Sequence, residues 1–162
     1  MAYLLDADVF IRAKNLHYGF DFCPAFWEWL VAQNAAGTLF SVEKVGAEVL
    51  AVEDELSEWA DTLPAGFFLP PDAAVLASLA TVGAWAGGQS YEAAAVSTFL
   101  QVADYYLVAH AHAGQHIVVT HEVPSASTRK IKIPNVCIGL GIRCMTPYEM
   151  LRLERARFIL GP

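Results

Sequence analysis

The sequence predicts an α/β fold: one domain with a mostly parallel central sheet of four to five short strands, flanked by helices on both faces. Three observations predict it. The apolar runs Tyr3-Leu4-Leu5, Leu39 to Val42 and His116 to Thr120 are too short for helices and rich in strand-favouring residues. They read as continuous apolar runs, with little polar alternation, as strands covered on both faces do. Between them lie longer segments with apolar residues at helical spacing. A chain of 162 residues suits a single domain, 1–162, and no repeat, low-complexity tract or linker divides it.

In chain order, Tyr3-Leu4-Leu5 is the first strand and delivers Asp6 at its end. Asp8 is placed as the cap of a short helix from Val9 to Lys14. Pro24 suits the first turn of the next helix, with Phe26, Trp27, Leu30 and Val31 at helical spacing and Gly37 past its end. Leu39 to Val42 is the second strand. Glu43 to Leu63 reads as one or two helices; Val42, Val45, Val49 and Val52 form the apolar stripe, and Glu53, Asp54, Glu55 and Glu58 a solvated face. The run Phe67 to Pro71, with its two prolines, breaks this pattern. Two Ala-rich helices follow, about Asp72 to Ala86 and Tyr91 to Val102. Asp104 begins another, with Leu107, Val108 and Ala111 inward and Gly114 as its stop. His116 to Thr120 is a β-branched strand. Ile131 and Ile133, alternating with Lys130 and Lys132, predict a half-exposed extended segment, and Val136 to Ile138 a further strand. Thr146 caps a last helix reaching about Phe158.

A hydrophobic content of 56% excludes a disordered chain. Ten Lys and Arg against seventeen Asp and Glu, a net charge of -7, exclude a generic basic nucleic-acid-binding module. A polyphosphate substrate would need a bound cation to cancel charge locally. Cys23, Cys137 and Cys144 are odd in number and form no close pair in sequence, so reduced thiols in a cytoplasmic protein are expected. Met1-Ala2-Tyr3 runs straight into the first strand, and no signal peptide is expected. Ala73 to Tyr91 lacks formal charge but carries Ser78, Thr81 and several glycines, so no membrane partner is expected. The apolar excess points to a filled core and one surface for a partner.

Most acids fit a solvated surface, and Glu149 and Glu154 are expected to pair with Arg152, Arg155 or Arg157. Asp6, Glu48, Asp104 and Glu122 do not fit it. Asp6 ends a buried strand, Glu48 lies beside the valine stripe, Asp104 heads an inward-facing helix, and Glu122 follows the strand ending in Thr120. Each alone has an ordinary explanation: a helix cap for Asp6 or Asp104, a Lys44 partner for Glu48, a loop acid for Glu122. Together, with no matching buried bases, they would repel one another and raise their pKa values unless a hard cation sat among them. Magnesium or manganese, which take oxygen ligands, fits. Zinc is not indicated, because His110 and His112 diverge on a helix and lack a Cys partner. His116 and His121 read as structural or solvent-facing. No phosphate-cradling glycine loop, dinucleotide turn or serine elbow is present.

Leu4-Leu5-Asp6-Ala7-Asp8-Val9-Phe10 resembles the opening of PIN-domain nucleases, where an apolar strand delivers the first Asp. Ser41-Val42-Glu43-Lys44-Val45-Gly46-Ala47-Glu48-Val49-Leu50 is similar to their second acidic motif, Ala103-Asp104-Tyr105-Tyr106-Leu107 to the third, and Val118-Val119-Thr120-His121-Glu122 to the fourth. The four occur in order over nearly the whole chain. Lys14-Asn15 with Tyr18-Gly19-Phe20, and Lys132-Ile133-Pro134-Asn135-Val136-Cys137, resemble an uncharacterised PIN-like subfamily of bacteria and archaea, many of whose relatives are VapC-type toxins. Two positions depart from the pattern: Asp8 stands where such toxins commonly carry Asn or Ser, and Glu122 where the motif more often ends in Asp.

The resemblance implies a single PIN-like domain and a magnesium- or manganese-dependent endoribonuclease, the toxin of a type II toxin–antitoxin pair. Its catalytic and metal-binding residues would be Asp6, Glu48, Asp104 and Glu122, supported by Asp8 and Thr120. RNA is the implied substrate and a cognate antitoxin the implied protein partner. Such toxins are often homodimers, for which the aromatic-rich stretch Phe20 to Leu30 is the candidate interface. Arg129, Lys130 and Lys132 form the densest basic cluster, and Arg12 and Lys14 follow the first motif, so the phosphate track is placed across these. Two other readings compete. One is a catalytically weak PIN-like binding module acting through a protein partner. The other is a haloacid-dehalogenase-type phosphatase, disfavoured because Phe10 stands where that family wants Thr or Val.

Overall fold

The computed structural model of the chain describes residues 1–161. Among these residues, five parallel strands form one sheet in the order β3-β2-β1-β4-β5. They are β1 (Tyr3–Leu5), β2 (Leu39–Val42), β3 (Phe68–Leu69), β4 (Ile117–Val119) and β5 (Cys144–Met145). Every residue of β1 and of β4 is buried, although successive side chains point to opposite faces. Both faces of the central strands are therefore covered, as predicted. Parallel neighbours need long crossovers, and the helices supply them: α1 (Ala7–Arg12), α2 (Pro24–Ala35), α3 (Glu43–Leu50), α4 (Glu55–Asp61), α5 (Ala73–Gly87), α6 (Ala93–Phe99), α7 (Ala103–Gly114), α8 (Ile133–Leu140) and α9 (Pro147–Leu153). A π-helical turn, Ala13–His17, extends α1.

The core is one contiguous apolar cluster with an aromatic end. Phe10 packs near Trp59, Phe67 and Phe68, and Trp27 lies between Phe20, Phe26 and Trp59. Gly46 lets α3 press on this wall, because a Cβ there would sit 2.8 Å from the Phe68 ring. The stretch Phe20 to Leu30 is thus mostly interior. Phe26, Trp27 and Leu30 are buried, Phe20 stacks on Trp27 at 4.0 Å, and Phe22 is the aromatic residue left exposed. An interface built on that stretch has little apolar surface to offer.

Several local expectations change. Asp6, not Asp8, caps α1: its Oδ1 accepts from the Ala7 N–H at 2.7 Å. Val52 leaves the predicted stripe and is 59% exposed, because α3 has already ended. Asp54 caps α4 in a reciprocal pair with Ser57, so it is no plain surface acid. The run before Pro70 forms β3. Ile133 does not continue an extended segment, and Val136 to Ile138 is not a strand; both lie in α8, started by Pro134 in its first turn and ended by Gly141 at φ +69°. The outer strand is Cys144–Met145 instead. Thr146 caps the last helix with Glu149, but that helix stops at Leu153. Glu149 is spent on the cap and Glu154 accepts from the Tyr3 hydroxyl at 2.6 Å, so neither forms the predicted ion pair with arginine. Ala73 to Tyr91 holds the 15-residue α5, and among the described residues no helix is long and apolar enough to cross a membrane.

Candidate active site

The chain runs outward from β1 through β2 to β3, then crosses back to place β4 on the other side of β1. Such a reversal leaves a crevice at the carboxyl ends of the two central strands. Asp6 leaves β1 there and Thr120, His121 and Glu122 leave β4. The Asp6 N–H still donates to the Val119 carbonyl at 2.9 Å, and Thr120 N–H to the Met145 carbonyl at 3.0 Å, so the ladder fixes both strand ends.

Thr120 is the hub. It is 1% exposed, and its hydroxyl donates to Asp6 Oδ2 at 2.8 Å, with Asp8 Oδ2 at 3.3 Å, and accepts from the Glu122 N–H at 3.1 Å. The main-chain N–H of His121 faces both Asp8 oxygens at 3.3 Å. Glu122 reaches across to α8, where its Oε2 accepts from the first helical N–H, Ile133, at 2.8 Å. A carboxylate there faces the positive end of the helix. Thr120 therefore orients a carboxylate; its hydroxyl is not free for a phosphate.

Electrostatics bind the remaining acids into the same site. Burial pushes the Asp6 carboxyl well above the ordinary carboxylate range, and the charges of Asp8, Asp104 and Glu122 add to it, while the Thr120 hydrogen bond works the other way. Asp104, half-buried in the first turn of α7, is pushed up to about 6 by burial and by Glu122, Glu48 and Asp8; Lys130 partly offsets this. Glu48, exposed on α3, is raised by local desolvation and by Asp8. Asp6 and Asp104 each feel the charges of Asp8 and Glu122, and Asp104 feels Glu48 as well.

They do not close on a point. Among the described residues, no three Asp, Glu, His or Cys side chains come together as a ready-formed metal cage. Asp6 and Glu122 are each held by a main-chain N–H, of Ala7 and of Ile133 respectively. The donor chemistry nonetheless fits a hard divalent cation: the donors are all carboxylate oxygens, the charged forms of Asp6 and Asp104 are disfavoured by their acidic neighbours, and the lysine that offsets the charge around Asp104 is Lys130.

Beside Glu48 and Asp104 opens a cleft of about 610 Å³. Lys44, Arg129 and Lys130 line it together with the apolar Phe99, Val102 and Ile131. Two of the five predicted basic residues thus belong to the cleft. Arg129 also stands 3.8 Å from Glu92 at the surface. Lys14 is taken by Asp54 at 2.9 Å. Lys132 is half-buried as the residue before α8, and Arg12 is exposed at the end of α1, close enough for its charge to act on His121. Lys44 is a basic residue of the cleft that sequence reasoning missed. Expected only as a partner for Glu48, it instead places its Nζ over the Tyr106 ring, 5.0 Å from the centroid. His121, expected to be incidental, joins His17 and Tyr148 in a ring cluster at the edge of the acids, with the Tyr148 hydroxyl 3.0 Å from His17 Nε2. His110 is buried and His116 accepts from the Ala2 N–H, so neither belongs to the site.

Residues 3–158 match the model of a family described as a domain of unknown function, DUF4411. No curated protein and no solved structure matches the chain.

Proposed function

We propose that this chain, which belongs to the DUF4411 family, is a metal-dependent endoribonuclease of PIN-like type. In this reading it acts in the cytoplasm as the toxin of a type II toxin–antitoxin pair, with an antitoxin protein as partner. The observation that carries the nuclease reading is the placement of Asp6, Asp8 and Glu122 around Thr120 at one crevice, where burial and neighbouring charge raise Asp6 and Asp104, beside a cleft lined by Glu48, Asp104, Lys44, Arg129 and Lys130. Acids placed against the polyanion they attack make sense when a cation is held between them.

Asp6, Glu48 and Asp104 would hold magnesium or manganese, with Glu122 placing a second ion or a water. When bound, such an ion lowers the pKa of a coordinated water and offsets charge on the scissile phosphate. The chain's own residues do the rest. Thr120 keeps Asp6 pointed into the crevice, and Asp8 is fixed by the His121 N–H. Asp104, its pKa pushed up to about 6 by its surroundings, gives up its proton at physiological pH. Lys44, Arg129 and Lys130 hold phosphates flanking the cleavage point.

One observation favours a second reading, a catalytically weak binding module acting through a protein partner: Glu122 is engaged by α8 and the acids form no closed cage. A single experiment separates the two. Purified protein is incubated with single-stranded RNA in manganese or in excess EDTA, and its melting temperature is followed in both. Manganese-dependent cleavage, lost in Asp6→Ala and Asp104→Asn, and manganese-dependent stabilisation of the wild type support the nuclease. Cleavage that persists in EDTA, or no cleavage and no thermal shift with manganese, overturns it.

A further inference from the structure

The motif Lys132-Ile133-Pro134-Asn135-Val136-Cys137 contributes no carboxylate to the site, yet the start of α8 reaches two parts of it. The Ile133 N–H holds Glu122. Asn135, in the first turn of the helix, grips the preceding loop with both ends of its amide. Its Oδ1 accepts from the Ser125 N–H at 2.9 Å, and its Nδ2 donates to the Ser125 carbonyl, also at 2.9 Å. A side chain that offers an acceptor and a donor together satisfies both main-chain groups of Ser125, as a paired strand would.

From Ser125 the constraint passes along the loop through hydroxyl groups. Ser125 Oγ accepts from the Ser127 N–H at 3.1 Å, and Ser127 Oγ accepts from the Arg129 N–H at 3.2 Å. Each short side chain fixes the backbone two residues on. On the other side of the loop the Thr128 carbonyl accepts from the Glu92 N–H at 2.9 Å, and Ile131 is buried in the core. Ser127, Arg129 and Lys130 are themselves exposed, so hydrogen bonds and not apolar burial set their path. That path delivers Arg129 and Lys130 to the cleft that Asp104 and Glu48 also line.

We propose that Asn135 is a positioning residue for RNA binding: through Ser125 and Ser127 it fixes the loop that presents Arg129 to a substrate phosphate. The inference rests on the nuclease reading of the same cleft. One residue of α8 holds the acid Glu122 and another, two positions on, holds the loop that carries the cations, so a single helix start sets the spacing between them. The effect belongs to affinity. A loop ordered in advance spares the RNA complex the entropy of ordering it, whereas a loose loop keeps the charge of Arg129 but spends part of its contact on that ordering. Only an amide serves at this position, because a carboxylate has no donor for the Ser125 carbonyl and an apolar side chain has neither group.

The test measures the affinity of the full chain for labelled single-stranded RNA by fluorescence anisotropy, in an Asp6→Asn parent that cannot turn over. Asn135→Ala should weaken binding by about threefold to tenfold. That loss should vanish when Arg129 is already alanine, because the two residues act on one contact. Ser127→Ala, at an exposed position, should reproduce part of the loss, and Ser127→Thr, which keeps the hydroxyl, should not. Limited digestion of the native protein with trypsin reads the loop without RNA: cutting after Arg129 and Lys130 should be severalfold faster in Asn135→Ala than in the parent. Unchanged affinity or unchanged digestion in Asn135→Ala, or a loss that adds in full to that of Arg129→Ala, would overturn the proposal and leave the nuclease reading standing. A parent that binds no RNA overturns both. If Asn135→Ala fails to fold, the two Ser127 variants decide.

Discussion

Replacing Asp104 by Asn should stabilise the metal-free protein, and the size of the gain follows from the acid cluster. The Asp104 carboxyl has an ordinary pKa of 3.8 and is pushed up to about 6 in the folded chain, chiefly by burial and by Glu122. A raised pKa on an acid means that its charged form is disfavoured by folding. Below the unfolded value both states are protonated and nothing is lost. As pH rises toward 6 the unfolded chain ionises first. The native state then falls behind by about 1.4 kcal/mol for each pH step between the two values, roughly 3 kcal/mol in all. Asn carries no charge and escapes this cost. It forfeits the attraction between a carboxylate and the first turn of α7, up to about 1 kcal/mol. The net expectation is a gain of about 2 kcal/mol at pH 7.5, or roughly 4–8 °C in Tm for a domain of this size. Urea unfolding in EDTA at pH 7.5 and at pH 4 measures it. The gain should be present at the higher pH and nearly absent at the lower. A variant less stable than wild type at pH 7.5, or equally stabilised at both values, would refute the claim that these carboxylates repel one another in the native state.

Two further perturbations probe the same site. Thr120→Val keeps the shape of a buried side chain but removes the hydroxyl that donates to Asp6 and accepts from the Glu122 N–H; it should cost about 1–3 kcal/mol in urea unfolding and abolish manganese-dependent cleavage, while Thr120→Ser retains both. A cost below about 0.5 kcal/mol would remove Thr120 from its place as hub. Lys130→Ala, in an Asp6→Asn background that cannot turn over, should weaken RNA binding and reduce the slope of log affinity against log salt by about one. Lys14→Ala should leave that slope unchanged and cost no more than about 1 kcal/mol through its lost contact with Asp54; the opposite pattern in fluorescence anisotropy would move the phosphate track to the other side of the crevice.

The fold class and the three inner strands were legible because burial on both faces writes itself as an unbroken apolar run, as in Tyr3-Leu4-Leu5 and Ile117-Val118-Val119. The two outer strands were not, since β3 and β5 have two residues each and a period cannot be read from two. The error at Val136 to Ile138 is more instructive. Its β-branched residues suggested a strand, yet Ile133, Val136, Cys137 and Leu140 recur at i, i+3, i+4 and i+7, and a proline stands at the start with a glycine after the end. Period and caps outweigh propensity there. The acidic residues were legible singly, as charges where the local pattern called for apolar groups. What no local pattern carries is their partners: that Glu122 would be drawn to α8, that Lys44 would rest on Tyr106, or that His121 would meet His17 and Tyr148.

The strand order explains why such a costly cluster survives in so small a domain. A sheet that grows outward from β1 in both directions must bring two chain segments past the same pair of strand ends, and it leaves their last side chains facing one crevice. Any acid at the end of β1 is then a neighbour of any acid after β4, whatever their separation in sequence. Selection for stability alone would favour a neutral residue at Asp6 or Asp104, where burial and neighbouring acids disfavour the charged form. Hydrogen bonds from Thr120, Ala7 and Ile133 hold Asp6 and Glu122 in place but do not remove the repulsion that Asp6 and Asp104 feel. On the reading proposed above, a cation bound only by the folded state would return the lost stability by mass action.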